Sequence, residues 1–266
     1  LHERLEGIEF PGGKIARINR VHMAIEGDDT PAFAHPADDV AQALERVLDR
    51  AQPDPAGIKR FVFSEMDETG KPVLQKQGGL WSLGHAFPDS SEQQESEPAR
   101  LNMATAIRRT LDAELASNSR LVVFGEDVGP KGGVHAVTLG LQDKYGEDRV
   151  FDTSLSEEGI IGRAVGMAAA GLMPVAEIQF RKYADPAEEQ LNDCGTIRWR
   201  TANRFAAPMV VRIPGGFFKV GDPWHSQSNE VKWLHSIGWQ LAMPSNAQDA
   251  VGLLRTAMRD NNPTIF

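Results

Sequence analysis

Two acids, Glu157 and Glu158, stand side by side in "DTSLSEEGIIG" (residues 152–162) at the head of an almost uncharged, glycine-spaced run, "GIIGRAVGMAAAGLMPVAEIQF". Ser156 stands where a helix cap belongs. The plain role of Glu157 is therefore to complement the positive end of the helix dipole, worth about 0.3–1 kcal/mol. A second role follows from Gly159, Gly162, Gly166 and Gly171 with alanines between them, which predict a helix whose backbone approaches its neighbours closely and is buried. An acid at the dry end of such a helix has a raised proton affinity, which suits it to share a proton with a ligand nitrogen.

Two further residues carry chemistry. Tyr183 follows the apolar stretch "MPVAEIQF" and either packs in the core or presents its ring to a planar heterocycle. His225 lies in the polar segment "DPWHSQSNE" with Ser226, Gln227 and Ser228, either as a surface residue or as a proton donor. The glycine loop "GEDVGPKGG" has neither GxGxxG nor GxxxxGK[ST] spacing, so it is no standard nucleotide cradle. "GDD" at residues 27–29 is not read as a metal–diphosphate motif.

The elements that must position these residues begin at Leu101. Met103, Ile107, Leu111 and Leu115 give one buried helical stripe. Then come the strand "LVVFGED", the glycine loop, a helix near "VTLGLQDKYG", the strand "RVFDT", the helix after Ser156 and the strand "MPVAEIQF". The helix "DPAEEQLNDCGTIRWRTA", the strands "APMVVRIP" and "WQLAMPS", the helix "NAQDAVGLLRTAMRD" and the strand start "TIF" complete the series. Apolar strands alternating with helices predict an α/β fold, a largely parallel sheet with helices on both faces. Ligands of such sheets gather at the carboxyl ends of the strands, here after Phe124, Phe151, Phe180 and Ile213.

The first hundred residues differ. "GKIARINRVHMAIEG" reads as a strand, "PADDVAQALERVLDRAQP" as a helix with Val40, Leu44, Val47, Leu48 and Ala51 on one face, ended by Pro53, and "KRFVFSEMDETGKPVLQKQ" as a hairpin about Glu68-Thr69-Gly70. Residues 1–85 are thus expected to form a small α+β module. Residues 86–100, "AFPDSSEQQESEPAR", have the composition of an acidic, solvated linker, and residues 101–266 form the main domain.

Composition narrows the function. A net charge of -9 without a lysine or arginine cluster argues against a nucleic-acid partner. The single cysteine, Cys194, excludes an internal disulfide, and the seven histidines fall in no zinc spacing, so a reducing cytoplasm is expected. The most apolar run, residues 164–176, is well short of the ~20 residues that cross a bilayer, and no membrane association is expected.

Taken in order, "VVFGEDVGPKGGVHAVTLGLQDKYGEDRVFDTSLSEEGIIGRAVGMAAAGLMPVAEIQF", "HSQS" and "MPSNAQDAVGLLRTAMRDNNPTIF" resemble the β subunit of the thiamine diphosphate-dependent 2-oxo acid dehydrogenase first component, of the branched-chain and pyruvate dehydrogenase type. The resemblance covers residues 101–266 and implies a transketolase-like pyrimidine-binding domain. In that family a glutamate in the "SE" step hydrogen-bonds the cofactor's aminopyrimidine ring and promotes the imino tautomer that deprotonates the thiazolium carbon. The matching residue is Glu157, not Glu158. The protein would thus tune the cofactor's electronics. By the same resemblance, Tyr183 packs on the aminopyrimidine, Leu155 and Gln179 line its pocket, and Glu126 is an acid near the cofactor. His225 faces the 2-oxo acid and the incoming lipoyl group. Ala257, Asp260 and Asn262, with the carbonyl of Met209, resemble a potassium site, for which oxygen ligands suit a hard cation.

The implied reaction is decarboxylation of a 2-oxo acid and acyl transfer to lipoyl. The implied partners are a complementary diphosphate-binding α-type subunit or domain, which holds most of the magnesium, and a lipoyl-bearing acyltransferase, in a heterotetrameric dimer of halves. No GDG motif supplies the magnesium and diphosphate here, and the family's C-terminal domain should follow "NPTIF", so this chain alone would supply half of an active site and is expected to be inactive by itself. It departs from the family where "ADYIFPAFDQI" is replaced by "RKYADPAEEQL", bringing Arg181, Lys182, Glu188 and Glu189 to an apolar region. Two alternatives stand beside this reading. One is a transketolase-like or acetoin-cleaving enzyme, and the other is a non-catalytic scaffold domain that binds a partner.

Overall fold

The computed structural model describes residues 36–51, 54–80, 100–216 and 224–266. Six short strands form one sheet: β1 (Leu121–Gly125), β2 (Val150–Asp152), β3 (Met173–Glu177), β4 (Val210–Arg212), β5 (Gln240–Leu241) and β6 (Thr264–Ile265). Their order is β2-β1-β3-β4-β6-β5, and every neighbouring pair is parallel. The expected fold class is the one observed.

The helices of the sheet domain are α2 (Met103–Ser117), α3 (Leu141–Tyr145), α4 (Glu157–Ala169), α5 (Glu188–Arg200) and α6 (Ala247–Arg259); α1 (Pro36–Leu48) precedes them. Strand alternation sorts the core into two layers. Val122 and Phe124 of β1 face Ile161, Ala164 and Leu191 of α4 and α5. Leu121 and Val123 face Leu111, Leu115, Leu254 and Met258 of α2 and α6. Both faces are therefore covered, which is why β1 and β3 are buried at every residue.

The predicted stripe of α2 is buried at Ile107, Leu111 and Leu115. Asn102 caps this helix by accepting from the Thr105 amide at 2.8 Å. Glu114, on the same helix, is buried and clasped by Arg255 and Arg259 of α6 at 3.2 and 2.8 Å. The pair of helices thus carries its own charged lock.

Helix α4 corrects one expectation. It buries Ile160, Ile161, Ala164 and Ala168, but Gly159, Gly162 and Gly166 lie on its exposed side. A Cβ on Gly166 would meet nothing within 4 Å and one on Gly162 would meet only Gln190 at 3.9 Å, so among the described residues these two do not serve close packing. One does elsewhere: a Cβ on Gly238, at φ +82°, would lie 1.9 Å from the Gly195 carbonyl oxygen of α5.

The chain divides into two compact units between Ile58 and Lys59. In the first, α1 forms where the sequence predicts a helix, with Val40, Val47 and Leu48 exposed. The strand expected in "GKIARINRVHMAIEG" and the linker up to residue 99 lie outside the described residues. Residues 59–80, expected as the second half of a separate module, pack within the sheet unit instead. The predicted hairpin is reduced to one antiparallel bridge, Met66 with Pro72, while Gln77 pairs with Phe205. This stretch leaves Phe63, Met66 and Leu74 exposed but inserts Leu80 into the core and Gln75 into a buried polar network. There Arg198 donates to Gln75 Oε1, Asn203 Oδ1 and the Asn261 carbonyl at 3.4, 2.5 and 2.6 Å. Burial pushes the Arg198 guanidinium down to about 10, against the opposing pull of Asp260 and Glu65. Among the described residues no helix is long and apolar enough to cross a membrane.

The Gly195–Gly238 approach yields a direct test. Gly238→Ala is expected to lower the unfolding free energy by at least about 2 kcal/mol, because it adds both a steric clash and a positive-φ penalty. Gly252→Ala, in open space on α6, is expected to stabilise by roughly 0.5–1 kcal/mol. Urea midpoints of the two variants that coincide would contradict the packing described.

Candidate active site

The carboxyl ends of β1, β2 and β3 assemble the first group of candidate residues. Gly125 ends β1 where any side chain would collide, since a Cβ would stand 2.4 Å from the Glu177 carbonyl oxygen of β3. Glu126 follows at once, and Asp127, at φ 57°, turns the chain into the glycine loop. The Gly133 amide closes that loop onto the Asp127 carbonyl at 2.6 Å. Glu126 is only 5% exposed, and its Oε1 has no hydrogen-bond partner among the described residues. Burial, then the nearby charges of Glu157 and Asp127, raise its carboxyl above the ordinary range. Glu126 and Glu157 therefore sit within electrostatic reach of one another.

Glu157 is the first residue of α4 and is half-buried, while Glu158 is exposed. Ser156 occupies the cap position without making the cap: its hydroxyl donates to Glu158 Oε1 at 2.9 Å instead. The local structure thus engages Glu158 and not Glu157. Leu155, in the preceding loop, is 84% exposed, and Gln179, just past β3, is half-buried.

The second group is aromatic. Tyr183 lies on a 3-10 helix (Arg181–Ala187), and its hydroxyl is 2.7 Å from His225 Nε2. Around them, Phe180 and Trp224 make edge-to-face contacts, with ring centroids 5.9 Å (Phe180) and 5.8 Å (Trp224) from Tyr183. Trp224 also lies edge-to-face on His225 at 4.9 Å. Tyr183 and His225, distant in sequence, are brought into direct contact.

The four residues of the expected potassium site belong to other segments, just before β4 and at and just beyond the end of α6. The Met209 carbonyl accepts the Thr264 amide at 2.9 Å, and Asn262 Oδ1 accepts the Ser64 amide at 2.7 Å. Asp260 accepts from the Asn261 amide at 2.7 Å and from Asn262 Nδ2 at 3.2 Å. Ala257 is buried beside them in α6.

Two features escaped the sequence reading. Glu177 and Arg212, paired in register at the ends of β3 and β4, form a buried ion pair at 2.6 Å. A charge closing an apolar strand, as in "VAEIQF" and "VVRIP", was the available signal. The second is a cavity of about 540 Å³ beyond that pair, whose wall includes Arg181, Arg212, Ile213, Trp233, Ile265 and Phe266. None of the candidate site residues lines it.

A parallel α/β sheet with buried acids at its carboxyl ends defines a ligand-binding domain of the doubly covered kind. The comparisons make it specific. Residues 99–266 match the family described as "Transketolase, pyrimidine binding domain", and the chain belongs to that family. The "2-oxoisovalerate dehydrogenase subunit beta" of Pseudomonas aeruginosa is 47% identical over 167 residues, covering 62% of this chain and 48% of that protein. The Bacillus subtilis protein of the same name is 43% identical over 162 residues, 60% of this chain and 50% of its own. The "Pyruvate dehydrogenase E1 component subunit beta" of Acholeplasma laidlawii is 42% identical over 169 residues, 63% of this chain and 52% of its own. The chain thus spans about half the length of these curated relatives. A solved structure titled "Split gene transketolase, inactive beta4 tetramer" aligns at a TM-score of 0.48 with 17% identity, over 63% of this chain and 51% of that one.

The environment of Glu126 predicts a trade of stability for function. Folding raises its pKa above the ordinary 4.5, so the folded chain keeps a proton that the unfolded chain has released, and stability is lost as pH rises through that window. Glu126→Gln is expected to raise the unfolding free energy at neutral pH by on the order of 1 kcal/mol. That advantage should vanish on acidification to about pH 4. A variant less stable than the parent at neutral pH would contradict the assignment.

Proposed function

We propose that this chain is the pyrimidine-binding half of a thiamine diphosphate-dependent 2-oxo acid dehydrogenase first component, which decarboxylates a 2-oxo acid and passes the acyl group to a lipoyl carrier. The observation that carries the reading is the Glu126–Glu157 pair at the carboxyl edge of the sheet, in a chain of the pyrimidine-binding family. The unpartnered Oε1 of Glu126 and the half-buried Glu157 fit a ring that offers nitrogen and amino groups. When bound, thiamine diphosphate supplies the electron sink that decarboxylation needs.

The protein's own part is proton placement. Glu157 shares a proton with the pyrimidine ring nitrogen, and Glu126 adds a second, reluctantly ionised carboxyl that limits negative charge beside it. Tyr183 gives the ring an aromatic neighbour, with Leu155 and Gln179 on the same pocket. His225, held by the Tyr183 hydroxyl, presents an imidazole that can donate or accept a proton near the 2-oxo acid and the lipoyl group.

The rest of the site is assigned to partners. The exposed Leu155 and the exposed Gly159, Gly162 and Gly166 edge of α4 support a covering subunit at this end of the sheet. That subunit is the complementary diphosphate-binding α-type half, which holds magnesium, in a heterotetramer served by a lipoyl-bearing acyltransferase. Met209 and Asp260 keep lone pairs that suit potassium as a brace, with Ala257 and Asn262 beside them. A cytoplasmic setting belongs to the same proposal, with Cys194 buried and reduced.

Reconstitution tests the reading. The chain, extended to the length of its relatives and mixed with a diphosphate-binding partner half, is expected to decarboxylate pyruvate or branched-chain 2-oxo acids only when both halves are present. Ketol transfer between sugars, or cleavage of acetoin, would favour the transketolase-like alternative. Partner binding with no cofactor uptake would leave a scaffold domain.

A further inference from the structure

Asp185 lies two residues beyond Tyr183 on the same 3-10 helix, in a stretch whose charges depart from the family pattern. Its carboxylate gathers three cations. Arg181 Nη1 donates at 2.9 Å, Lys182 Nζ at 2.9 Å and Lys232 Nζ at 3.0 Å. Lys232 comes from another 3-10 helix (Glu230–His235) and also pairs with Glu188 of α5 at 2.8 Å. Although burial pushes the Asp185 carboxyl up, the Lys182, Arg181 and Lys232 hydrogen bonds hold it far below the usual range.

These same residues fix the backbone around the Tyr183–His225 contact. The Lys182 amide donates to the His225 carbonyl at 3.3 Å, and the Arg181 amide donates to the Pro214 carbonyl at 2.9 Å. The Arg181 guanidinium, nearly fully buried, lies 4.4 Å over the Trp233 ring. The Lys182 ammonium lies 5.7 Å from the ring centre of Trp224, the residue preceding His225. Two 3-10 helices therefore meet at one carboxylate, and the backbone of the first also bonds the loop after β4 and the turn bearing His225.

We propose that Asp185 is a positioning residue, which holds the Tyr183 hydroxyl against His225 Nε2 by locking Arg181, Lys182 and Lys232 into a single charged knot. The inference rests on the proposed roles of Tyr183 and His225, and it identifies what sets their geometry. Charge balance makes the knot depend on Asp185 in particular. Without it, Lys232 keeps Glu188, while Lys182 and the buried Arg181 lose the carboxylate they pair with. An apolar residue at this position would fill the volume without tying the helices to one another.

The test reads the imidazole directly, by ¹⁵N and ¹³C ring resonances of His225 in the full chain. Tyr183→Phe supplies the spectrum of the lost hydrogen bond. Asp185→Asn is expected to move the His225 ring signals to those of Tyr183→Phe, while the amide spectrum of the sheet is retained. Lys232→Gln, which keeps Arg181 and Lys182 paired, is expected to move them part of the way and guards against an Asp185 variant that fails to fold. Glu189→Gln, exposed and outside the knot, is expected to change nothing. In the reconstituted enzyme Asp185→Asn is expected to lower kcat/KM at least tenfold with cofactor occupancy unchanged. Wild-type His225 signals in Asp185→Asn, or in Lys232→Gln where the former is unfolded, would overturn the proposal. The ring spectra do not depend on catalysis, so failure of the functional reading appears separately, as an inactive reconstituted parent.

Discussion

A buried ion pair between neighbouring strands, Glu177 of β3 with Arg212 of β4, fixes the edge of the sheet on which the candidate site is built. The two side chains are almost wholly buried, and Arg212 Nε also donates to Glu177 Oε2 at 2.9 Å. Such a pair adds little net stability over a well-packed apolar one, yet losing either partner costs roughly 3–5 kcal/mol. Its effect is to specify register. The Glu177 carbonyl sits where only Gly125 allows β1 to pass, and its carboxylate lies so close to the glycine loop that a Cβ on Gly133 would be 2.9 Å from Oε1. Immediately beyond, the Ile178 amide bonds the Arg212 carbonyl at 3.0 Å. Glu126 on one side and the Tyr183 helix on the other thus inherit their positions from this pair.

The sheet and its two helical layers were legible in the sequence because each strand is a short apolar run and each helix carries a stripe, as in Ile107, Leu111 and Leu115. Those signals are local. Glu157 was also legible, as an acid at a helix start, but its electrostatic influence on Glu126 joins residues on different elements and no spacing rule encodes it. Ser156 misled for a related reason: a hydroxyl at the cap position has a choice of partners, and here the nearby Glu158 carboxylate takes it. The glycines of α4 misled because small residues permit close approach without stating from which side it comes.

Charge was the least legible feature. Arg181 and Lys182 looked out of place in an apolar region, and only the fold shows that Asp185 pairs with both of them and with Lys232. The same holds for residues 59–80, whose hairpin pattern suggested part of a separate module. Their polar side chains are what dock them, since Gln75 and Ser64 complete the network around Arg198 and Asn261. Burial of polar groups is tolerated where every member finds a partner, and partners distant in sequence cannot be read along it.

Glu157 and Glu158 are adjacent, equally charged and differently placed, so they form an internal control for the proposed chemistry. Hydrogen–deuterium exchange at the thiazolium carbon, followed in the reconstituted enzyme with bound cofactor verified, compares Glu157→Gln with Glu158→Gln. The Glu157 variant should exchange at least ~10²-fold more slowly than the parent, the lower end of what a positioned acid–base group contributes, and the Glu158 variant should match the parent. Equal rates in the two variants would reduce Glu157 to a residue that complements the helix dipole and remove the basis for the assigned site.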